Sequence, residues 1–226
     1  MPRAASPAAD APAALLEAAE GLFAAQGFAA TTIKQIGAAA RLNPALIYYY
    51  VPDKLALYAA VLDRRLGQFA RAMPARLPAG IPAREGIATV VRAQVAFMRA
   101  SPHVPRLLAR ELADHEAAVA APIMRDIAQG PFRRLQALIR EGQAAGEIRA
   151  DLDPALATIS TIAQVAWFFV AHPLMARLLG HVGAVPARTI DRFTEHAVTF
   201  ALAALAPAPT PGRAPSRRAR RPRRTP

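Results

Sequence analysis

The sequence contains no cysteine at all. Disulfide bonds, thiolate zinc sites, iron–sulfur clusters and cysteine redox switches are therefore excluded. Lysine is almost as rare, because Lys34 and Lys54 are the only two lysines among 28 basic side chains. GC-rich codons favour arginine and alanine whatever the function of the protein, so the arginine-rich composition alone is weak evidence of function.

The common catalytic motifs are also missing. The sequence has no Gly-x-Ser-x-Gly elbow, no P-loop and no glycine fingerprint for dinucleotides, and none of its five histidines stands at metal-ligand spacing. We therefore predict no catalytic residue, no metal and no cofactor. An enzyme is the least favoured class of function, and turnover of a bound small molecule is the observation that would revive it.

The net charge of +12 is unevenly distributed along the chain. Residues 1–72 carry +2, residues 73–206 carry +3, and residues 207–226 carry seven arginines and no acid. This proline-rich end is too polar to bury a core, which predicts a disordered, Arg-rich tail. Two interpretations stay open for the tail: binding to a polyanion, or simple solubilisation.

The longest uncharged stretch covers residues 154–171, which is near the lower limit for a membrane span. Thr158, Ser160, Thr161 and Gln164 interrupt it, so we predict a buried or interface helix and no membrane contact. The first thirty residues lack a basic segment followed by an apolar one, and we expect a cytoplasmic protein without a secretory signal.

The hydrophobic pattern is helical almost everywhere and predicts an all-α protein. Leu15, Ala19 and Phe23 share one helical face, and the glycine of Gln26–Gly27 stands where helices commonly end. Thr32 and Gln35 then have the spacing of a capping box, which predicts a short second helix over about 32–40.

A third helix begins almost at once. Asn43 is a strong N-cap and Pro44 suits the first helical position, while Val51 precedes a proline and ends the helix at about Tyr50. Asp53 then caps a fourth helix that extends to about residue 73. Two short helices with a tight turn, held between two longer ones, form a helix-turn-helix whose second helix reads a major groove.

Five further helices are predicted in the rest of the chain. They are placed near residues 82–100, 103–116, 121–147, 154–179 and 187–206, with prolines or Gly130–Pro131 ending or kinking them. The predicted organisation is a flexible N-terminal arm (1–9), a helix-turn-helix domain (10–56) with a linking helix to about 73, a helical effector-binding and dimerisation domain (74–206), and the tail (207–226).

The stretch "ALLEAAEGLFAAQGFAATTIKQIGAAARLNPALIYYYVPDKLALYAAVL" resembles the DNA-binding domain of the tetracycline-repressor (TetR) family of bacterial regulators. The matching elements are Leu22–Phe23, Gly27–Phe28, Thr31–Thr32, Ile36 with Ala40, Ile47–Tyr48, Tyr50, Lys54 and Leu57. Two departures occur. Arg41 stands where the family usually has a turn glycine, which predicts an unfavourable backbone conformation there, and Val51 replaces a common phenylalanine.

The resemblance implies that helices two and three contact double-stranded DNA at a pseudo-palindromic operator. The expected DNA contacts are Thr32, Lys34, Asn43, Pro44, Ala45, Tyr48, Tyr49, Tyr50 and Lys54. Thr32, Lys34 and Lys54 are assigned to phosphates, although both lysines are also explained as ordinary solvated side chains. Asn43 is either a base contact or only a cap, and Ala45 suits a thymine methyl.

Tyr48, Tyr49 and Tyr50 are consecutive, so they point about 100° apart and cannot all face one core. We predict that Tyr49 supplies sequence preference, that Tyr48 donates its hydroxyl to a phosphate, and that Tyr50 shares in core packing. Packing of all three aromatics against neighbouring helices is the open alternative.

The resemblance also implies a small-molecule effector and a homodimer. Bulky residues expected to line an effector pocket are Phe97, Met98, His103, Leu108, Met124, Leu135, Trp167, Phe168 and His172. The expected dimer stripe on the last helix is Ile190, Phe193, Ala197, Phe200 and Ala204. For single residues in either set, ordinary core packing is the alternative.

The predicted function is a ligand-responsive, sequence-specific transcriptional regulator, in the form of a repressor released by a small apolar effector. The alternative is a dimeric DNA-binding protein with little sequence preference that relies on the basic tail. The operator, the regulated genes and the effector are not encoded in any motif of the sequence.

Overall fold

The computed structural model describes residues 11–73, 77–128 and 130–207, and these residues form helices and no strands. The N-terminal arm and the arginines of the tail lie outside the described residues. In chain order the helices are α1 (Ala11–Ala30), α2 (Ile33–Ala40), α3 (Pro44–Tyr50), α4 (Lys54–Ala72), α5 (Ala83–Ala100), α6 (Val104–His115), α7 (Ala120–Ala128), α8 (Pro131–Ala144), α9 (Pro154–Val170), α10 (His172–Leu178) and α11 (Ala187–Leu205).

The first four helices enclose one apolar core, to which Phe23, Ile36, Ile47, Leu57 and Tyr58 contribute fully buried side chains. These residues come from each of α1 to α4, so α2 and α3 are held in place from behind. Helix α1 is interrupted near its end by a residue with φ of 84°, at the glycine where its end was predicted.

Helix α6 belongs to the same core although it follows α5 in the chain. Leu107 is buried against the helix-turn-helix core, and the guanidinium of Arg110 donates to the carbonyl of Ala25 at 2.9 Å. Burial, together with the negative charge of nearby Glu111, raises the pKa of Tyr58 far above its ordinary value, so its phenol stays neutral. The N-terminal and C-terminal halves therefore share packed side chains.

Helix α7 also packs against the helix-turn-helix core, whereas α5 and α8 to α11 enclose two further apolar clusters. Met73, Ile87, Leu138 and Ile139 lie in one, and Val91, Val95, Val165 and Val198 are among the members of the other. Two ion pairs also join α5 to α11, one between Arg92 and Glu195 and one between Arg99 and Asp191. Both pairs are exposed, so most of the attachment comes from apolar burial.

Two predicted helices are each divided in the structure. The segment 121–147 becomes α7 and α8, separated at Gly130–Pro131, and 154–179 becomes α9 and α10. None of the described helices has both the length and the hydropathy of a membrane span on its own; α9 and α10 reach them only as a pair, and this pair is bent by 83°.

Candidate nucleic-acid interface

The N-terminus of α2 is closed by the predicted capping box. The hydroxyl of Thr32 accepts from the N–H of Gln35 at 3.2 Å, and the side chain of Gln35 accepts from the N–H of Thr32 at 2.8 Å. The side chains of Thr32 and Lys34 are both exposed. The positive end of α2, a hydroxyl and an ammonium group thus lie at one exposed helix end, which is a suitable arrangement for a phosphate.

The turn between α2 and α3 contains the strained residue that the sequence predicted. Arg41 has φ of 57° and ψ of 37°, the left-handed conformation that favours glycine. The N–H of Leu42 donates to the carbonyl of Gly37 at 2.8 Å and completes the end of α2. The exposed side chain of Arg41 stands beside α3, where it is a further candidate phosphate contact that the sequence reasoning missed.

The sequence predictions also did not include Gly37 as a close-packing position, although a glycine inside a helix is itself a signal of close packing. A Cβ on Gly37 would lie 2.9 Å from the carbonyl oxygen of Leu42 and 3.4 Å from Cδ1 of Ile47. The first distance is a clash with backbone, which has little freedom to move. Gly37 therefore sets how closely the turn and α3 approach α2.

Helix α3 begins and ends where the sequence predicted. The side chain of Asn43 accepts from the N–H of Ala45 at 2.9 Å, Pro44 follows at the first position, and Val51 ends the helix in an extended conformation. Asn43, Pro44 and Ala45 are all exposed. The capping function of Asn43 is thus observed.

The three tyrosines of α3 have three different environments. Tyr49 is 81% exposed and Tyr48 is 57% exposed, whereas Tyr50 is partly buried against the core behind α3. The rings of Tyr49 and Tyr50 pack edge to face with their centroids 5.3 Å apart, and this contact limits the rotation of the Tyr49 ring. Ile47 is fully buried on the opposite side and anchors the helix.

Lys54 has a different environment from the one expected of a phosphate contact. Its ammonium group donates to the carbonyls of Phe28 and Thr31, both at 2.9 Å, and lies 4.3 Å from the centre of the Phe28 ring. The side chain is partly buried and joins the end of α1 to the start of α4. The structure gives Lys54 a structural function, and its contact with DNA stays a prediction.

Comparison with known proteins was informative for both halves of the chain. Residues 15–61 match the family profile "Bacterial regulatory proteins, tetR family", and residues 84–200 match "Tetracyclin repressor-like, C-terminal domain". The chain is 30% identical to an HTH-type transcriptional repressor of Streptomyces coelicolor over 167 aligned residues. The aligned region covers 74% of this chain and 82% of the relative.

The chain belongs to the tetR family of bacterial regulatory proteins. Solved structures have the same fold: a tetR-family regulatory protein of Rhodococcus RHA1 has a TM-score of 0.72 at 22% identity, covering 88% of this chain and 98% of that one. FadR of Bacillus subtilis, solved in complex with stearoyl-CoA, has a TM-score of 0.71 at 16% identity, and the match covers 86% of this chain and 99% of FadR.

As a member of the tetR family, the protein is a ligand-responsive, DNA-binding regulator of transcription. The predicted family, all-α fold and general function are confirmed. The alternative of a DNA-binding protein that depends on its basic tail is not favoured.

The residues predicted to line the tetR-family effector pocket do not surround one cavity. Met98 and His172 line a cavity of about 490 Å³, whereas Phe97 lines a separate one of about 430 Å³ between α4 and α5. The others are distributed as follows: Leu135 and Phe168 are buried in different clusters, Leu108 and His103 are partly buried, and Met124 and Trp167 are exposed. Apolar periodicity identifies buried helix faces but not the space between helices that they enclose.

The dimer stripe predicted on α11 also needs correction. Ala197 is fully buried inside the protomer, the ring of Phe193 stacks on Phe168 at 3.8 Å, and Ile190 packs against the same cluster. Only Phe200 and Ala204 of that stripe are exposed. The periodic stripe of α11 is the face that the protomer itself covers, so the surface open to a partner is displaced around the helix.

Proposed function

We propose that the protein is a homodimeric repressor that binds a pseudo-palindromic operator and dissociates when a small apolar effector binds. The observation that carries this proposal is the exposed surface of α3, on which Asn43, Ala45, Tyr48 and Tyr49 all reach solvent. A large aromatic side chain that is 81% exposed, on a helix anchored from behind, suits a partner surface such as a major groove.

The proposed contacts follow from the chemistry of each group. Tyr49 and the exposed methyl of Ala45 contact base edges, with Ala45 suited to a thymine methyl. Tyr48 donates its hydroxyl to a phosphate, and the N-terminus of α2, with Thr32 and Lys34, contacts another. Phosphate contacts position the protein, whereas the base contacts of α3 supply sequence preference.

The proposed dimer interface is an apolar surface on α9 and α11. On α9, Leu156, Ile159 and Trp167 are 64%, 50% and 60% exposed and share one helical face, and on α11 Phe200 is 61% exposed. Large apolar side chains grouped in this way are typical of a protein–protein interface. Pairing of this surface with its copy around a two-fold axis would place two α3 helices on successive half-sites.

The proposed coupling between effector and DNA requires a helix shared by both halves, and α6 has that position. Its Val104 packs in the C-terminal cluster, while its Leu107 and Arg110 contact the helix-turn-helix core and α1. An effector that favours a different position of α6 would change the spacing of the two α3 helices. We further propose a cytoplasmic regulator without enzymatic activity, since its target is chromosomal DNA.

Selection of DNA fragments from a random pool tests the proposal. The full-length protein should enrich a sequence with inverted half-sites one helical turn, or a multiple of one, apart. Measured at physiological salt, the enriched DNA should bind more tightly than random DNA by about a thousandfold or more. Equal affinity for both would contradict the proposal, and a large uniform loss of binding on deletion of residues 207–226 would support a tail-dependent binder instead.

A further inference from the structure

The cavity of about 490 Å³ between the ends of α5, α6, α9, α10 and α11 has a distinctive lining. Its apolar wall includes Met98, Phe169, Val185 and Ile190. Its volume is within the range of roughly 300–1,000 Å³ that is usual for small-molecule sites. A wall of this kind favours a hydrocarbon chain or ring, because it offers apolar area and almost no hydrogen-bonding groups.

The ionisable side chains in the lining of this cavity are all basic types. Among the residues that the structure describes, the ionisable ones in this lining are Arg99, Arg106 and His172, and the lining contains no acid and no serine, threonine, asparagine or glutamine. Arg99 is neutralised by Asp191, whereas the exposed side chain of Arg106 has no ion pair with any described residue. One arginine is therefore available to a ligand.

Backbone groups at the cavity add to this preference. Helices α6 and α11 both begin beside it, since Pro105 and Arg106 of α6 and Ala187 of α11 are in the lining. Neither helix has a side-chain N-cap or an acid in its first turn. The N-terminal ends of α6 and α11 thus border the same cavity as Arg106. The N–H of Val104 already donates to the carbonyl of Ser101 and Pro105 has none, so the N–H groups of Arg106 and Ala187 are the ones suited to an anion.

We propose that this cavity binds an amphipathic monoanion, in which an apolar chain or ring carries one carboxylate. The apolar wall holds the chain, and Arg106 with the helix ends holds the carboxylate. The other two large cavities have different chemistry. The one between α9 and α11 includes Asp151 and Asp153 and belongs to the proposed dimer surface, and Arg65 in the one between α4 and α5 is paired with Glu20.

The assignment of this ligand as the effector rests on the proposed function. Pro105, Arg106 and Ala109 form the side of α6 that faces the cavity, while Leu107 and Arg110 of the same helix contact the helix-turn-helix half. A bound anion therefore acts directly on the helix that joins the two halves. We expect occupancy of the cavity to weaken binding to operator DNA.

Isothermal titration calorimetry with decanoate tests the binding site directly. Decanoate should bind the full-length protein, and decanol and decylamine, which lack the negative charge, should bind at least about tenfold more weakly. Replacing Arg106 by glutamine should weaken decanoate binding about tenfold and leave decanol unchanged. Arg84→Gln, which removes an exposed arginine at the opposite end of α5, is the matched control and should have no effect.

A steric variant makes the test independent of charge. Ala109→Trp places a large ring on the cavity side of α6 and should abolish decanoate binding while the circular dichroism spectrum stays helical. Absence of decanoate binding to the wild type, or equal binding of decanoate, decanol and decylamine, would overturn the proposal. Unchanged decanoate affinity in Arg106→Gln would overturn it as well.

The outcomes for DNA are separate from those for the ligand. Selected operator DNA that binds normally, together with no decanoate binding, refutes the anion site and leaves the repressor proposal intact. Decanoate binding that depends on Arg106, together with no operator preference, supports the anion site and refutes the repressor. Release of operator DNA by decanoate in the wild type, but not in Arg106→Gln, supports both.

Discussion

The protein exposes large aromatic side chains on two distant surfaces, and these surfaces differ in chemistry. On α3, Tyr48 and Tyr49 carry hydroxyls, and the exposed polar residues Arg41 and Asn43 immediately precede this helix. On α9 and α11, Trp167 and Phe200 stand among exposed aliphatic residues. The first surface suits a wet, charged partner such as DNA, and the second suits another apolar protein surface.

The two surfaces are also supported differently. Each part of the α2–α3 region is held by an identifiable local contact, such as the side-chain cap of Asn43, the buried Ile47 and the close approach at Gly37. The α9–α11 surface is instead the outer side of a broad apolar packing between helices. A single substitution should therefore have a specific effect near α3, whereas on α9 and α11 it should act through the total apolar area buried with a partner.

The largest effect is expected from introducing a charge into the α9–α11 surface. Phe200→Asp should raise the dissociation constant of the proposed dimer at least about thirtyfold, because a carboxylate without a partner would then be buried where the proposed interface has an aromatic side chain. Sedimentation velocity over a concentration series measures this change. Leu178→Asp, at a residue of α10 that is 70% exposed and outside this surface, is the control and should leave the dimer intact.

Removing the most exposed tyrosine tests the other surface. Tyr49→Ala should weaken binding to the selected operator about tenfold and leave binding to random DNA nearly unchanged, because base contacts rather than phosphate contacts are lost. Fluorescence anisotropy with labelled DNA provides both affinities. Tyr48→Phe removes only a hydroxyl and should weaken binding to operator DNA and to random DNA by the same, smaller factor. A change in the ratio of these two affinities would mean that Tyr48, rather than Tyr49, supplies the sequence preference.

Gly37→Ala tests the close approach beneath α3. The added methyl should lower the free energy of unfolding by about 1–3 kcal/mol, because the carbonyl of Leu42 blocks it. Gly21→Ala is the matched control, since a Cβ there meets no atom within 4 Å, and it should stabilise the protein by about 0.5–1 kcal/mol. Urea denaturation measures both changes, and equal stabilisation in both variants would show that the contact is not tight.

Lys54→Met separates a structural function from contact with phosphate. Because the carbonyls of Phe28 and Thr31 lose their partner, the free energy of unfolding should fall by about 1 kcal/mol. The salt dependence of DNA affinity should stay the same. If Lys54 contacts a phosphate, the slope of log affinity against log salt concentration should instead become shallower by about 0.9 for each half-site.

The sequence predictions were more accurate for the α2–α3 region, which is held by local contacts, than for the surfaces formed by packing between distant helices. The bounds of α3, the capping box of α2 and the strained residue at Arg41 were predicted correctly, because side-chain caps, proline and backbone sterics act within a few residues. The predicted effector pocket was divided among several sites, and most of the predicted dimer stripe lies inside the protomer. Both predictions required knowing which helix faces which.

The amino-acid sequence by itself determined the family, the all-α class and the recognition helix with its outward tyrosines. These features depend on short-range hydrogen bonds and on the spacing of residues along one helix. Only the tertiary structure decided that Lys54 turns inward, that α6 joins both halves, and that Arg106 borders an apolar cavity. An amphipathic helix specifies that one face must be covered, whereas the packing of all helices together determines what covers it.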